Sequence, residues 1–191
     1  QAIAVTVTNV NEAPVITSDG AGATATRNAA ENGTAVTTVT ATDVDAATTL
    51  TYSISGGADA AKFAINSSTG VLTFVSAPDF EVPTDIGSNN VYDVTVQVSD
   101  GAFTDTQGIA VTVTNVNESP VITSDGGGTT ASLSAAENQT AATTVASTDV
   151  DGGAPSYSIV GGADAALFTI NASTGALSFA AAPNFEAPAD A

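Results

Sequence analysis

Apolar and polar residues alternate along most of this chain with the two-residue period of half-buried strands, and no stretch carries the 3.6-residue period of a helix. Ile3, Val5 and Val7 alternate with Ala4 and Thr6, which predicts a strand over Gln1 to Val7. Val15 to Thr17 begins a short strand, and Ser18-Asp19-Gly20 is a turn signal. A Thr/Val-rich run from Thr34 to Thr42 follows and ends in Asp43-Val44-Asp45. Leu50, Tyr52 and Ile54 alternate with Thr51, Ser53 and Ser55 until Gly56-Gly57 stops the strand. Phe63 and Ile65, the turn Asn66-Ser67-Ser68-Thr69-Gly70, then Leu72 and Phe74 read as a hairpin. A longer polar connection runs from Pro78 through Asn90. Beyond it, Tyr92, Val94, Val96 and Val98 give the cleanest alternation in the chain, and Ile109, Val111 and Val113 close the pattern within Gln107 to Val113. About seven strands in about 105 residues, with frequent turn signals, predict an all-β, seven-stranded Greek-key β-sandwich of immunoglobulin-like architecture.

The pattern then starts again. Residues 8–20 and 114–126 agree at 12 of 13 positions, which sets a period of 106 residues. Residues 52–74 and 157–179 agree at 17 of 23 positions with an offset of 105, so one residue has been lost near Gly152-Gly153. A period that long is a whole domain, not one turn of a solenoid. Gln1 to Val7 repeats Gln107 to Val113, so residues 1–10 are expected to be the last strand of a preceding repeat. Residues 11–116 are expected to form a complete repeat, and 117–191 a second one that stops before its last two strands. The segments Thr8 to Pro14 and Thr114 to Pro120 then read as linkers between tandem sandwiches.

Composition narrows the function. The chain carries 20 Asp and Glu against two basic residues, Arg27 and Lys62, for a net charge of −18. Nucleic-acid binding relies on Lys and Arg displacing counterions, so this chain is not expected to bind nucleic acid. A polybasic membrane contact is excluded on the same ground, and no apolar run approaches the roughly 18–20 residues that span a bilayer. With no Cys and no His, nucleophilic catalysis would rest on an unaided Ser or Thr, and the chain is not expected to be an enzyme.

Twelve of the 20 acids fall at repeated landmarks: Glu12 and Glu118 in the linkers, Glu31 and Glu137, Asp43 and Asp149, Asp45 and Asp151, Asp79 and Glu81 with Glu186, and Asp100. In a sandwich threaded end to end these positions lie in loops or at strand ends. Oxygen-only ligands without Cys or His suit a hard cation, and Ca²⁺ takes six to eight such oxygens. Asp59, Asp85, Asp93, Asp105 and Asp190 stand outside the landmarks and read as solvated surface charge.

Together, Asn-Val-Asn-Glu-Ser-Pro (115–120), Glu31-Asn32, Asp43-Val44-Asp45, Asp79-Phe80-Glu81 and Val98-Ser99-Asp100-Gly101 resemble the calcium motifs of cadherin repeats. The run Tyr-Ser-Ile-Ser-Gly-Gly-Ala-Asp-Ala-Ala-Lys-Phe (52–63) is similar to bacterial cadherin-like repeats of large extracellular adhesins. The resemblance implies Ca²⁺ between consecutive repeats. At the central junction it implies ligands from Glu31, Asp79 and Glu81, from Asn115, Asn117, Glu118 and the Val116 carbonyl, and from Asp149 and Asp151. At the preceding junction it implies Asn9, Asn11, Glu12, Asp43, Asp45 and Asp100. The implied protein is a calcium-stiffened stalk or filament on a bacterial cell surface, as in biofilm adhesion, whose partners are neighbouring repeats of its own chain and homophilic or filament contacts. The alternative is a sandwich module that binds a surface polysaccharide or a protein.

Overall fold

A computed structural model of the chain describes residues 1–45 and 48–187. They form an all-β protein with three short 3₁₀ turns, divided into two compact units, Gln1–Val116 and Asn117–Ala191.

Unit 1 contains nine strand segments: β1 (Val15–Ile16), β2 (Thr24–Ala30), β3 (Ala35–Thr38), β4 (Ala41–Thr42), β5 (Thr51–Gly56), β6 (Phe63–Ile65), β7 (Val71–Phe74), β8 (Val91–Ser99) and β9 (Thr104–Thr114). They pair as a four-stranded sheet β2-β9-β8-β5, a three-stranded sheet β3-β7-β6 and a short ladder β1-β4. All pairs are antiparallel except β2 with β9, which run parallel. The β8–β9 hairpin sets Tyr92 opposite Val111 and Val94 opposite Ile109, so their alternating apolar side chains fall on one face. That face is the core: Tyr92, Val94, Val96, Val98, Ile109, Val111 and Val113 are buried with Phe63, Leu72 and Phe74 from the second sheet. Phe74 stacks on Phe63 at 4.7 Å and meets Tyr92 edge-on at 5.3 Å. Burial at about 25 cal/mol per Å² of apolar surface, plus these ring contacts, holds the sandwich without disulfides.

Unit 1 departs from the sequence pattern in three places. The strand over Gln1 to Val7 does not form, and Ile3, Val5 and Val7 are exposed. Its near copy in β9 lies between β2 and β8, whereas Gln1 to Val7 meets no partner strand among the described residues, and an unpaired strand keeps its backbone groups in water. The Thr/Val run 34–42 is not one strand but two, β3 and β4, which join different sheets. Strand β2, Thr-Ala-Thr-Arg-Asn-Ala-Ala, carries no apolar alternation to announce it; it forms because β9 offers it a ladder along an open edge.

The β6–β7 turn shows how tightly the sheets close. Gly70 has φ +70° and accepts a hydrogen bond from the Val39 N–H at 2.8 Å. A Cβ at this position would lie 2.1 Å from the Val39 carbonyl oxygen. Gly70→Ala is therefore expected to destabilise unit 1 by about 2–4 kcal/mol, measured by urea unfolding.

Unit 2 contains β10 (Val121–Ile122), β11 (Ala141–Thr144), β12 (Ser147–Thr148), β13 (Phe168–Ile170) and β14 (Ala176–Phe179). They pair as β10-β12 and β11-β14-β13, with Phe168 and Phe179 4.8 Å apart. The strand expected at Tyr157 to Ile159 is absent. Its counterpart β5 pairs only with β8, and no described residues of unit 2 supply an equivalent of β8. An open groove of about 710 Å³ is lined there by Ile122, Val145, Tyr157, Phe168, Ile170 and Leu177. In unit 1 the counterparts Ile16, Val39, Phe63 and Leu72 are buried in the core that β8 and β9 complete.

Candidate metal centre

Glu31 immediately follows β2 and prolongs its pairing with β9, donating its N–H to the Thr114 carbonyl at 3.1 Å. This places its side chain, 3 % exposed, between two other segments. Glu31 Oε2 accepts the Phe80 N–H at 2.8 Å, and Oε1 accepts the Val116 N–H at 2.7 Å. One carboxylate thus gathers the Asp79-Phe80-Glu81 loop and the strand leaving β9. Asp79 Oδ1 accepts the Val82 N–H at 2.8 Å, and Asn115 Nδ2 donates to Glu81 Oε1 at 2.7 Å. One carboxylate oxygen from each of Glu31, Asp79 and Glu81 lies within 4.8 Å of the others. Each pair of like charges at that spacing costs about 0.8 kcal/mol in water and more beside protein. A divalent cation held by these oxygens would turn the repulsion into attraction, and an all-oxygen donor set suits Ca²⁺.

Residues of the second expected set are joined by hydrogen bonds within unit 1. Asn9 Nδ2 donates to Asp45 Oδ1 at 2.5 Å, and the Glu12 N–H donates to Asp45 Oδ2 at 2.8 Å. The Asp45 N–H in turn donates to Asp43 Oδ1 at 2.9 Å. Asn11 Nδ2 reaches Asp100 Oδ2 at 2.6 Å. The Asn9 amide, then the Glu12 N–H, hold the Asp45 carboxyl below its ordinary pKa, against desolvation and the like charge of Asp100. The Phe103 and Ala102 N–H groups, then Asn11, do the same for Asp100. Folded pKa values below the unfolded ones contribute stability that is present above the ordinary carboxylate range and lost as pH falls through the folded values, so both groups stay charged at neutral pH. Asp43 Oδ2 is buried without a hydrogen-bond partner among the described residues, a position that a cation would satisfy.

Unit 2 repeats part of each arrangement. The Glu118 N–H donates to Asp151 Oδ2 at 2.5 Å and the Asp151 N–H to Asp149 Oδ1 at 3.1 Å, as Glu12, Asp45 and Asp43 do in unit 1. Asn117 Nδ2 donates to the Glu118 carbonyl at 2.9 Å. Glu137 Oε2 accepts the Phe185 N–H at 3.1 Å, as Glu31 does from Phe80.

The isolated acids depart from their sequence reading. Asp59 and Asp85 are 3 % and 5 % exposed, not solvated. Asp59 accepts the Ile86 and Asp93 N–H groups, Asp85 those of Asn89 and Asn90, and half-buried Asp105 that of Ile16. These carboxylates replace ladder bonds that the polar 78–90 connection and the start of β1 cannot make. Asp93 is exposed as expected, and Asp190 lies outside the described residues. The sequence also gave no sign of the ion pair between Arg27 and Asp19, nor of Asn90, whose amide holds Phe80.

Residues 24–117 match the family model of the cadherin domain. Human protocadherin Fat 4 is 36 % identical over 165 residues, 81 % of this chain and 3 % of the relative. Human protocadherin Fat 1 is 34 % identical over 136 residues, 68 % of this chain and again 3 % of the relative. This chain thus spans a small part of the curated relatives it matches. Among solved structures, human protocadherin-24 EC1-2 shares the fold with a TM-score of 0.52 at 22 % identity, covering 94 % of this chain and 82 % of that one. The likeness to the cadherin domain family thus lies in residues 24–117.

Proposed function

We propose that this chain is a pair of tandem cadherin repeats that Ca²⁺ stiffens, serving as a non-enzymatic structural and adhesive segment of an extracellular protein. The observation that carries the reading is the gathering of Glu31, Asp79 and Glu81 by a buried carboxylate that also anchors the Val116 N–H, where the linker begins. The linker continues from Val116 straight into Asn117 and Glu118, and Glu118 is tied to Asp151 and Asp149 within unit 2. In this proposal the ligands of the central junction are Glu31, Asp79, Glu81, Asn115, the Val116 carbonyl, Asn117, Glu118, Asp149 and Asp151. Those of the preceding junction are Asn9, Asn11, Glu12, Asp43, Asp45 and Asp100. Partners are neighbouring repeats and homophilic contacts. A bacterial surface adhesin as parent is the finer part of the proposal. It rests on the run 52–63 alone, and the relatives matched are animal proteins.

Calorimetric titration with CaCl₂ is expected to show binding with dissociation constants of roughly 10⁻⁴–10⁻³ M, the range of extracellular modules. Ca²⁺ is expected to raise the melting temperature through binding to the folded state, and EDTA to reverse it. Asp45→Asn is expected to weaken binding, whereas Asp93→Asn, at an exposed acid outside the landmarks, leaves it unchanged. Equal effects from the two substitutions would refute the site. Small-angle scattering is expected to give a longer maximum dimension with Ca²⁺ than with EDTA at unchanged β content, because each unit keeps its own sheets while the linker depends on its ligands. An identical dimension in both would refute stiffening.

A further inference from the structure

We propose that Asn90 is the positioning residue of the metal centre in unit 1. This rests on the calcium reading above and goes beyond its ligand set. Asn90 brings no carboxylate to the cluster, and its Oδ1 is buried without a hydrogen-bond partner among the described residues. Its Nδ2 donates to the Phe80 carbonyl at 2.8 Å, and Phe80 is the residue between Asp79 and Glu81. On the other side of the same residue, the Phe80 N–H is taken by Glu31. The Phe80 backbone is therefore gripped from both ends, and the two flanking carboxylates are aimed by that grip. The Asn90 carbonyl accepts the Val113 N–H at 2.8 Å, which fixes the end of β9 from which Asn115 and Val116 depart. One residue thus bridges the ligand loop and the start of the linker.

The conformation of Asn90 is held from behind. Its φ is +62°, a left-handed geometry that asparagine tolerates better than most residues. Its N–H donates to Asp85 Oδ1 at 3.0 Å, and the Asn89 N–H to Asp85 Oδ2 at 3.0 Å. Asp59 binds the Ile86 N–H at 2.7 Å and the Asp93 N–H at 2.9 Å, and so ties the same loop to β8. Two buried carboxylates thereby tie down the loop from which the Asn90 amide reaches Phe80. Coupling of this kind is reciprocal: what Asn90 does for Ca²⁺ affinity, Ca²⁺ does for the order of the loop.

The test uses the full chain and CaCl₂. Asn90→Gly keeps the positive φ, the bond to Asp85 and the bond from Val113, and removes only the amide. It is expected to weaken Ca²⁺ binding at this centre about tenfold or more, the usual effect of losing a partner that orients metal ligands. Asn66→Gly is the control for general destabilisation, because Asn66 Oδ1 holds only the Ser68 and Thr69 N–H groups of its own turn. It is expected to leave the affinity unchanged. Hydrogen exchange gives a second readout: Ca²⁺ is expected to slow the amides of Phe80 and Asn90 in the wild type, and to lose its effect on the Asn90 loop in Asn90→Gly. Wild-type affinity in Asn90→Gly, or equal weakening by both substitutions, would overturn the positioning role. A wild type that binds no Ca²⁺ would overturn the calcium reading and this inference with it, and is distinguished because it appears before any substitution is made.

Discussion

Asp59→Ala is expected to cost unit 1 about 3–5 kcal/mol of unfolding free energy, while Asp93→Ala changes it by less than about 0.5 kcal/mol. Asp59 is 3 % exposed, and each of its oxygens accepts one backbone N–H, from Ile86 and Asp93, at 2.7 and 2.9 Å. Truncation leaves two donors without acceptors in a place water reaches poorly, and a lost hydrogen bond to a charged group costs about 1.5–3 kcal/mol. Asp93 contributes its backbone to the same network, but its exposed side chain does not, so alanine keeps what matters there. Asn at position 59 retains one acceptor and is expected to fall between the two. Urea unfolding in EDTA, which removes any contribution of bound cation, measures all three. A loss for Asp59→Ala no larger than that for Asp93→Ala would show that the carboxylate is surface charge after all.

That contrast also marks what the sequence could reveal. The fold was legible because β8 and β9 each have one clean face: Tyr92, Val94, Val96 and Val98, and Ile109, Val111 and Val113, are apolar at every second position and buried at every second position. Strand β2 was not legible, because its ladder is decided by β9 and not by its own side chains. Gln1 to Val7 misled for the converse reason: the alternation is present, but a strand exists only with a partner. The repeated acids were legible as a set because the repeat itself flags them. Glu31, Asp79 and Glu81 come together in unit 1, while hydrogen bonds join Asn9, Glu12 and Asp43 to Asp45, and Asn11 to Asp100. Asp59 and Asp85 escaped because burial of an acid depends on backbone donors supplied by a distant loop, and nothing local records that. Asn90 escaped for the same reason: one amide in a polar run is indistinguishable from its neighbours until the Phe80 carbonyl is placed beside it.

Glu31→Gln is expected to weaken Ca²⁺ binding at its centre by about 100-fold, at the upper end of what loss of a site residue does, and to lower unit 1 stability by about 2–3 kcal/mol even in EDTA. The two effects have separate causes. In the presence of Ca²⁺ the substitution removes one of three carboxylates whose oxygens lie within 4.8 Å of one another, and ligand charge sets affinity in such sites. In EDTA it faces one of two backbone donors, the Phe80 and Val116 N–H groups, with an amide NH₂ instead of an oxygen, so one donor is left unsatisfied at a residue only 3 % exposed. Asp79→Asn separates the roles. Asp79 is exposed and accepts a local hydrogen bond from the Val82 N–H, so its substitution is expected to weaken binding without a comparable loss of stability in EDTA. The pair therefore gives a pattern: both variants lose affinity, and only Glu31→Gln loses stability without the ion. Retention of wild-type affinity by Glu31→Gln would remove the buried carboxylate from the site. Equal stability losses by the two variants in EDTA would mean that Glu31 does not hold the ligand loop and the linker together on its own account.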